Sequence, residues 1–213
     1  TTLFRSKVTF FNIHNYIPDI HDTSFLNHSP LSFPGFRVIK SHAEYNPFYT
    51  RIVYLVRDPR DVMVSYYFYQ QNQGKHNQSI SEFIRDRRHG ISKWLKHVES
   101  WLNKPKSSLR AYYIKYEELK SKPVDTLDSL YKMMGFTIPQ EVIEKSVDEC
   151  SFNNMKENEE FFRSKNPVYE NSFGGDFVRA GKKKNYLEML PQKDIDYISH
   201  RTEKYLKLFN YTD

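Results

Sequence analysis

Short runs of apolar and β-branched residues alternate along this chain with longer stretches of helical period. Residues 37–42 (RVIKSH) and 51–57 (RIVYLVR) have the length and composition of buried strands, with the turn residues Asn46 and Pro47 between them. Asp58 and Pro59 follow at once, an N-cap and a first-turn proline, and predict a helix through Gln71 that is apolar on nearly every face, as suits packing on a sheet. Further helices are predicted over 79–88 and 91–103, the second with Trp94, Leu95, Val98, Trp101 and Leu102 at helical spacing. Residues 109–116 (LRAYYIKY) form a third predicted strand. Helices over 124–134, closed by Gly135, then over 139–149 and 194–208 complete the pattern. Strands alternating with helices predict an α/β fold in which a largely parallel β-sheet is flanked by helices. No repeat, low-complexity tract or long linker interrupts it, so residues 1–213 read as a single domain.

Composition narrows the chemistry. Glycine is scarce, at 7 of 213 residues, and no G-x-G-x-x-G occurs. The segment from Gly175 to Gly181 and Lys182 is one residue too long for a phosphate loop and lacks the Ser or Thr that follows the lysine there. Aromatic residues make up 16% of the chain; most are expected in the core, with the remainder available to line a pocket. One cysteine, Cys150, excludes an internal disulfide framework and any multi-cysteine metal cluster, and its default role is a small buried hydrophobe. No run approaches the ~18 apolar residues of a membrane span, and the N-terminal residues lack signal-peptide features. A cytoplasmic protein is expected. The net charge of +6 suits anionic partners.

In an open parallel sheet, ligands bind beyond the carboxyl ends of the strands. Here those ends carry Lys40, Ser41 and His42 on the first predicted strand, Arg57 on the second, and Tyr116 and Glu117 on the third. Each alone has a plain structural explanation, the histidine as a satisfied strand-end residue and the arginine as half of an ion pair. Together, two cations, a histidine and a tyrosine on one edge suit an anion and a proton transfer. No ligand cluster argues for a metal.

The stretch RVIKSHAEYNPFYTRIVYLVRDPRDVMVSYYFY, residues 37–69, closely resembles the core of the soluble sulfotransferases, enzymes that use 3′-phosphoadenosine 5′-phosphosulfate. YIKYEEL from Tyr113, SFNNMKEN from Ser151 and FVRAGK from Phe177 extend the resemblance in order through about residue 190. It implies a P-loop-kinase-like sulfotransferase fold, with His42 as the base that deprotonates a hydroxyl or amine acceptor and Lys40 at the transferring sulfuryl group. Arg57 and Ser65 match the pair that holds the cofactor's 3′-phosphate, Tyr116 the tyrosine at adenine, and Phe152 the aromatic ring near the base. Arg179 and Gly181 match the first and third positions of an R-K-G motif near the same phosphate. A guanidinium fork and a hydroxyl suit that dianion. The implied product is 3′,5′-adenosine bisphosphate, and the implied partner a small-molecule acceptor, with no nucleic acid and no metal.

Two departures stand out. Ala180 occupies the family's usual lysine position, and the first strand with its phosphate loop of the type P-K-S-G-T-T-W, which should precede residue 37, is not in this sequence. The expectation is that an upstream part is missing. A nucleotide kinase would need such a loop and a magnesium-binding carboxylate. The remaining rival is a non-catalytic binder of a 3′-phosphonucleotide or of nucleic acid with the same fold; a nucleic-acid binder predicts steep salt dependence carried by Lys182, Lys183 and Lys184.

Overall fold

The computed structural model describes residue 9 and residues 12–20, 38–103, 110–165 and 184–211. Its sheet is a parallel pair, β1 (Arg51–Val56) and β2 (Arg110–Lys115), in register from Arg51 opposite Arg110 to Val56 opposite Lys115. Parallel strands cannot be joined by a tight turn and need a crossover. Here the crossover carries three helices, α2 (Pro59–Asn72), α3 (Ile80–Arg85) and α4 (Ile91–Leu102), after a single turn α1 (Ile13–Tyr16) near the start of the chain. After β2 come α5 (Tyr116–Ser121), α6 (Pro123–Met133), α7 (Gln140–Glu149) and α8 (Phe152–Lys165), then α9 (Tyr186–Met189) and α10 (Gln192–Leu208).

Local chemistry sets the helix boundaries. Asp58 caps α2 through the Arg60 amide, with proline in the first turn, and Ser79 and Glu82 form a reciprocal capping box on α3. Gly135, at φ +86°, ends the α6 segment in the left-handed region that glycine enters without steric cost. The main core joins Met63 and Val64 of α2 to Ile84, Ile91, Tyr186, Leu190, Ile195 and Ile198. A smaller cluster of Val56, Leu206 and Tyr211 sits under the end of β1. Asp194, fully buried in α10, accepts from Ser81 Oγ and from Arg85 Nη1 at 2.6 Å, which binds α10 to α3. Among the described residues no helix is long and apolar enough to cross a membrane.

The structure departs from the sequence expectation in several places. Over residues 38–42 it has no strand, only one parallel bridge between Lys40 and Asp19, because a β-prone run becomes a strand only where a neighbour completes its ladder. Within the described residues, β1 is buried on one face rather than two, and Val53 and Leu55 are 43% and 50% exposed. Cys150 is exposed, since it lies where the chain leaves α7. Helices α1, α5 and α9 were not predicted, Tyr116 opening α5 rather than closing a strand, and neither was α8, whose sequence FNNMKENEEFFRSK is polar almost throughout and carries little apolar periodicity.

Candidate active site

Both strands deliver their next residues to one edge. Arg57, directly after β1, stacks its guanidinium 4.4 Å above the ring of Tyr116, the first residue of α5 and the one directly after β2. Parallel register at Val56 and Lys115 makes this contact, because the two chains leave the sheet side by side. Among the described residues its ion pair is with Asp61, whose Oδ2 lies 3.7 Å from Arg57 Nη2, beyond hydrogen-bond range. Arg57 Nε is buried and has no hydrogen-bond partner among the described residues. Stacking holds the face of the guanidinium and leaves donors on its edge.

Around this pair runs a tight polar frame. Asp58 receives Arg60 Nε at 3.0 Å and Nη2 at 2.8 Å, and the same Nη2 donates to the Tyr211 carbonyl at 2.9 Å. The Asp58 amide donates to Glu117 Oε1 at 3.1 Å, while Tyr211 Oη donates to Glu117 Oε2 at 2.8 Å. Burial and the Glu117 bond both push the Tyr211 hydroxyl pKa far up, so it stays a donor. Asp61 accepts from the amides of Lys184 and Tyr186, each at 3.0 Å, and so clips α2 to the start of α9. Burial raises the Asp61 pKa, against the pull of Arg57 and the two amides. A cleft of about 410 Å³ opens beside this frame, lined by Asp61, Lys115, Glu117, Lys184 and Tyr211 among others.

Ser65 is exposed on α2, four residues after Asp61 and so on the same helix face, while Arg57 precedes the helix and its cap. Lys40 is tied to residues 18–20 by its backbone and to Asp19 by its ammonium at 3.0 Å, with the lysine side chain 53% exposed. His42 is exposed on the irregular loop that follows. That loop docks on α4. The Trp101 indole donates to the Ala43 carbonyl at 3.2 Å, the Tyr45 amide to Ser100 Oγ at 3.0 Å, and Tyr49 stacks on Trp101. Phe152 starts α8, half-buried. Arg179 and Gly181 lie outside the described residues, as do Lys182 and Lys183. Sequence reasoning overlooks Asp61 and Tyr211. Asp61 had a signal, its spacing of four from Arg57, whereas Tyr211 reaches the site only through the fold.

The sulfotransferase domain model matches residues 3–210. The chain belongs to the sulfotransferase family. Sulfotransferase 1 family member D1 of Mus musculus is 27% identical over 198 residues, which cover 83% of this chain and 65% of the mouse protein. Sulfotransferase 1C2 of Rattus norvegicus is 30% identical over 165 residues, 70% of this chain and 55% of the rat protein. This sulfotransferase chain thus spans a little over half to about two thirds of those relatives. Its fold matches a retinol dehydratase solved with androsterone and the inactive cofactor PAP at a TM-score of 0.67 and 20% identity, over 87% of this chain and 57% of that one. It matches mouse sulfotransferase SULT7A1 complexed with PAP at 0.64 and 20% identity, over 87% and 70%. The parallel strands with flanking helices are accordingly part of the sulfotransferase α/β fold.

Proposed function

We propose that this chain binds 3′-phosphoadenosine 5′-phosphosulfate and serves transfer of its sulfuryl group to a hydroxyl or amine of a small molecule. The observation that carries the proposal is Arg57, fixed by its ring stack on Tyr116 with a buried Nε left without a partner among the described residues. Native proteins satisfy nearly all buried polar groups, so a guanidinium edge kept in this state fits an anion, and a 3′-phosphate in particular. Family membership, and relatives in fold solved with PAP, support the nucleotide. The retinol dehydratase was also solved with retinol, which supports a small acceptor bearing a hydroxyl.

On this proposal the residues divide the work. Arg57 and Ser65 hold the 3′-phosphate, with Arg179 and Gly181 beside it, while Tyr116 and Phe152 take the adenine. Lys40, half in solvent, leaves Asp19 and turns its charge to the reacting end. His42 takes the acceptor's proton. Bound there, the nucleotide supplies an activated sulfuryl group. All else is positioning and charge stabilisation by the chain.

Calorimetry with 3′,5′-adenosine bisphosphate against 5′-AMP tests this. Charge-assisted hydrogen bonds contribute about 1.5–3 kcal/mol each, so Arg57→Ala should weaken the bisphosphate by about ten- to a hundredfold or more and barely change 5′-AMP. Equal losses for both ligands would show that Arg57 does not read the 3′-phosphate. A wild-type chain that does not prefer the bisphosphate would count against the whole function.

A further inference from the structure

His42 sits on an irregular loop, residues 41–50, that has no strand or helix to hold it in place. Three of its positions converge on one side chain. Trp101, 5% exposed near the end of α4, donates its indole N–H to the carbonyl of Ala43, the residue next to His42, at 3.2 Å. Its ring meets Tyr45 edge-on at 5.5 Å and Tyr49 in a parallel stack at 6.2 Å, both favourable arrangements for aromatic pairs. Trp101 also lies 5.9 Å from the ring of Tyr54 on β1, which in turn lies 5.7 Å from Tyr113, its register partner on β2. The Tyr54 hydroxyl, 3.0 Å from Nδ1 of His97, ties that ring to α4 a second time. Sheet, helix and loop are thus joined ring to ring through Trp101. The other ties between α4 and the loop reach residues farther from His42: Ser100 Oγ accepts from the Tyr45 amide, and exposed Lys96 pairs with Glu44.

We infer that Trp101 is a positioning residue, which fixes the backbone beside His42 against β1, the strand that also delivers Arg57. The inference rests on His42 being the base of the proposed transfer. Arg57 directly follows β1, three residues after Tyr54. One strand therefore sets the anion site by its end and, through Tyr54 and Trp101, the place of the base. A transfer that holds the nucleotide at one point and deprotonates the acceptor at another needs this separation fixed, because a misplacement of about 1 Å at a reacting group can cost about a hundredfold in rate. The residue type suits the task. Tryptophan combines a large flat ring with an N–H donor set in its plane, so one side chain both packs on the loop's tyrosines and holds its backbone.

The experiment is ¹⁵N NMR on the full chain, wild type and the variants Trp101→Phe, Tyr49→Leu and Trp94→Phe, with bisphosphate calorimetry on the same samples. In wild type the Trp101 indole N–H should exchange with solvent at least about tenfold more slowly than that of free tryptophan. Trp101→Phe, which keeps a ring and removes the donor, should shift the His42 ring and Ala43 amide signals. Tyr49→Leu, made from the loop side at a half-buried position, should move the Trp101 indole and His42 ring signals together. Trp94→Phe is the control: Trp94 lies on the same helix, but its ring meets Tyr205 of α10 edge-on and packs on the main core, so the His42 and Ala43 signals should stay in place. Bisphosphate affinity should stay within about twofold throughout, since no variant touches Arg57. The inference is overturned if the Trp101 indole exchanges as fast as free tryptophan, if Trp101→Phe leaves the His42 and Ala43 signals unmoved, or if Trp94→Phe moves them as far. Should Trp101→Phe fail to fold, Tyr49→Leu decides: an indole signal that moves while His42 stays still overturns it equally. Calorimetry judges the parent proposal separately: wild type that fails to bind the bisphosphate removes the reaction, whatever the spectra show.

Discussion

A guanidinium held over a tyrosine ring still has donors to offer, and at Arg57 they border the strand ends. Lysine at this position would lose both the stack and the fork, so the two cations of the site are not interchangeable. Lys40 plays the other part, a point charge half in solvent, paired with Asp19. His42 invites the sharpest test. If it is the base of the proposed transfer, His42→Ala should lower turnover about 10²–10⁴-fold while bisphosphate affinity and melting temperature hold. If it only braces its loop, all three should fall together; that loop already rests on α4 through Ala43, Tyr45 and Tyr49, which favours the first outcome. Activity that falls no further than the folded fraction would remove His42 from the mechanism. Arg57 could be placed from the sequence because it directly follows a strand, whereas His42 lies on an irregular loop where a strand end was expected. The Tyr54 and His97 pair could not be placed, for the two are 43 residues apart and each alone passes for core.

At the scale of elements, what could be foreseen followed local rules. Asp58 and Pro59 announced α2, and the spacing of Trp94, Val98 and Trp101 announced α4, because caps and amphipathic periods are written in consecutive residues. Residues 37–42 misled for the opposite reason: composition promised a strand, but strand formation depends on a partner elsewhere. The join between α3 and α4 turns on Gly90. A Cβ there would stand 2.3 Å from the Ile84 carbonyl oxygen and 2.6 Å from those of Phe83 and Asp86, all of them backbone atoms that cannot swing aside. Gly90→Ala should therefore destabilise the fold by about 1–3 kcal/mol. Thermal melting would report this as a fall of about 2–4 °C for each kcal/mol in a chain of this size. An unchanged melting temperature would mean that the turn yields. Gly135→Ala makes a useful contrast, since nothing lies within 4 Å and only its positive φ resists the change.

Across the whole molecule, the site is an agreement between distant parts of the chain. Arg60 holds Asp58 and the Tyr211 carbonyl, and Glu117 holds the Asp58 amide and the Tyr211 hydroxyl, so three segments meet at one corner. Asp58 and Glu117 are 59 residues apart, and Arg60 and the Tyr211 carbonyl 151. That separation has a consequence in time. Helices α2, α3 and α4 contact their sequence neighbours and can form early, but β1 cannot pair with β2 until the whole crossover has closed, and non-local pairing of this kind slows folding. The strand ends, and Arg57 on Tyr116 with them, are thus among the last features to exist. In stopped-flow refolding, helical ellipticity should recover ahead of the ability to bind 3′,5′-adenosine bisphosphate, and bisphosphate binding should follow the slowest phase. Binding that tracks the early helical phase would show that the anion site precedes the sheet. Otherwise nucleotide capture is itself a clock, one that strikes only when the two strands have met.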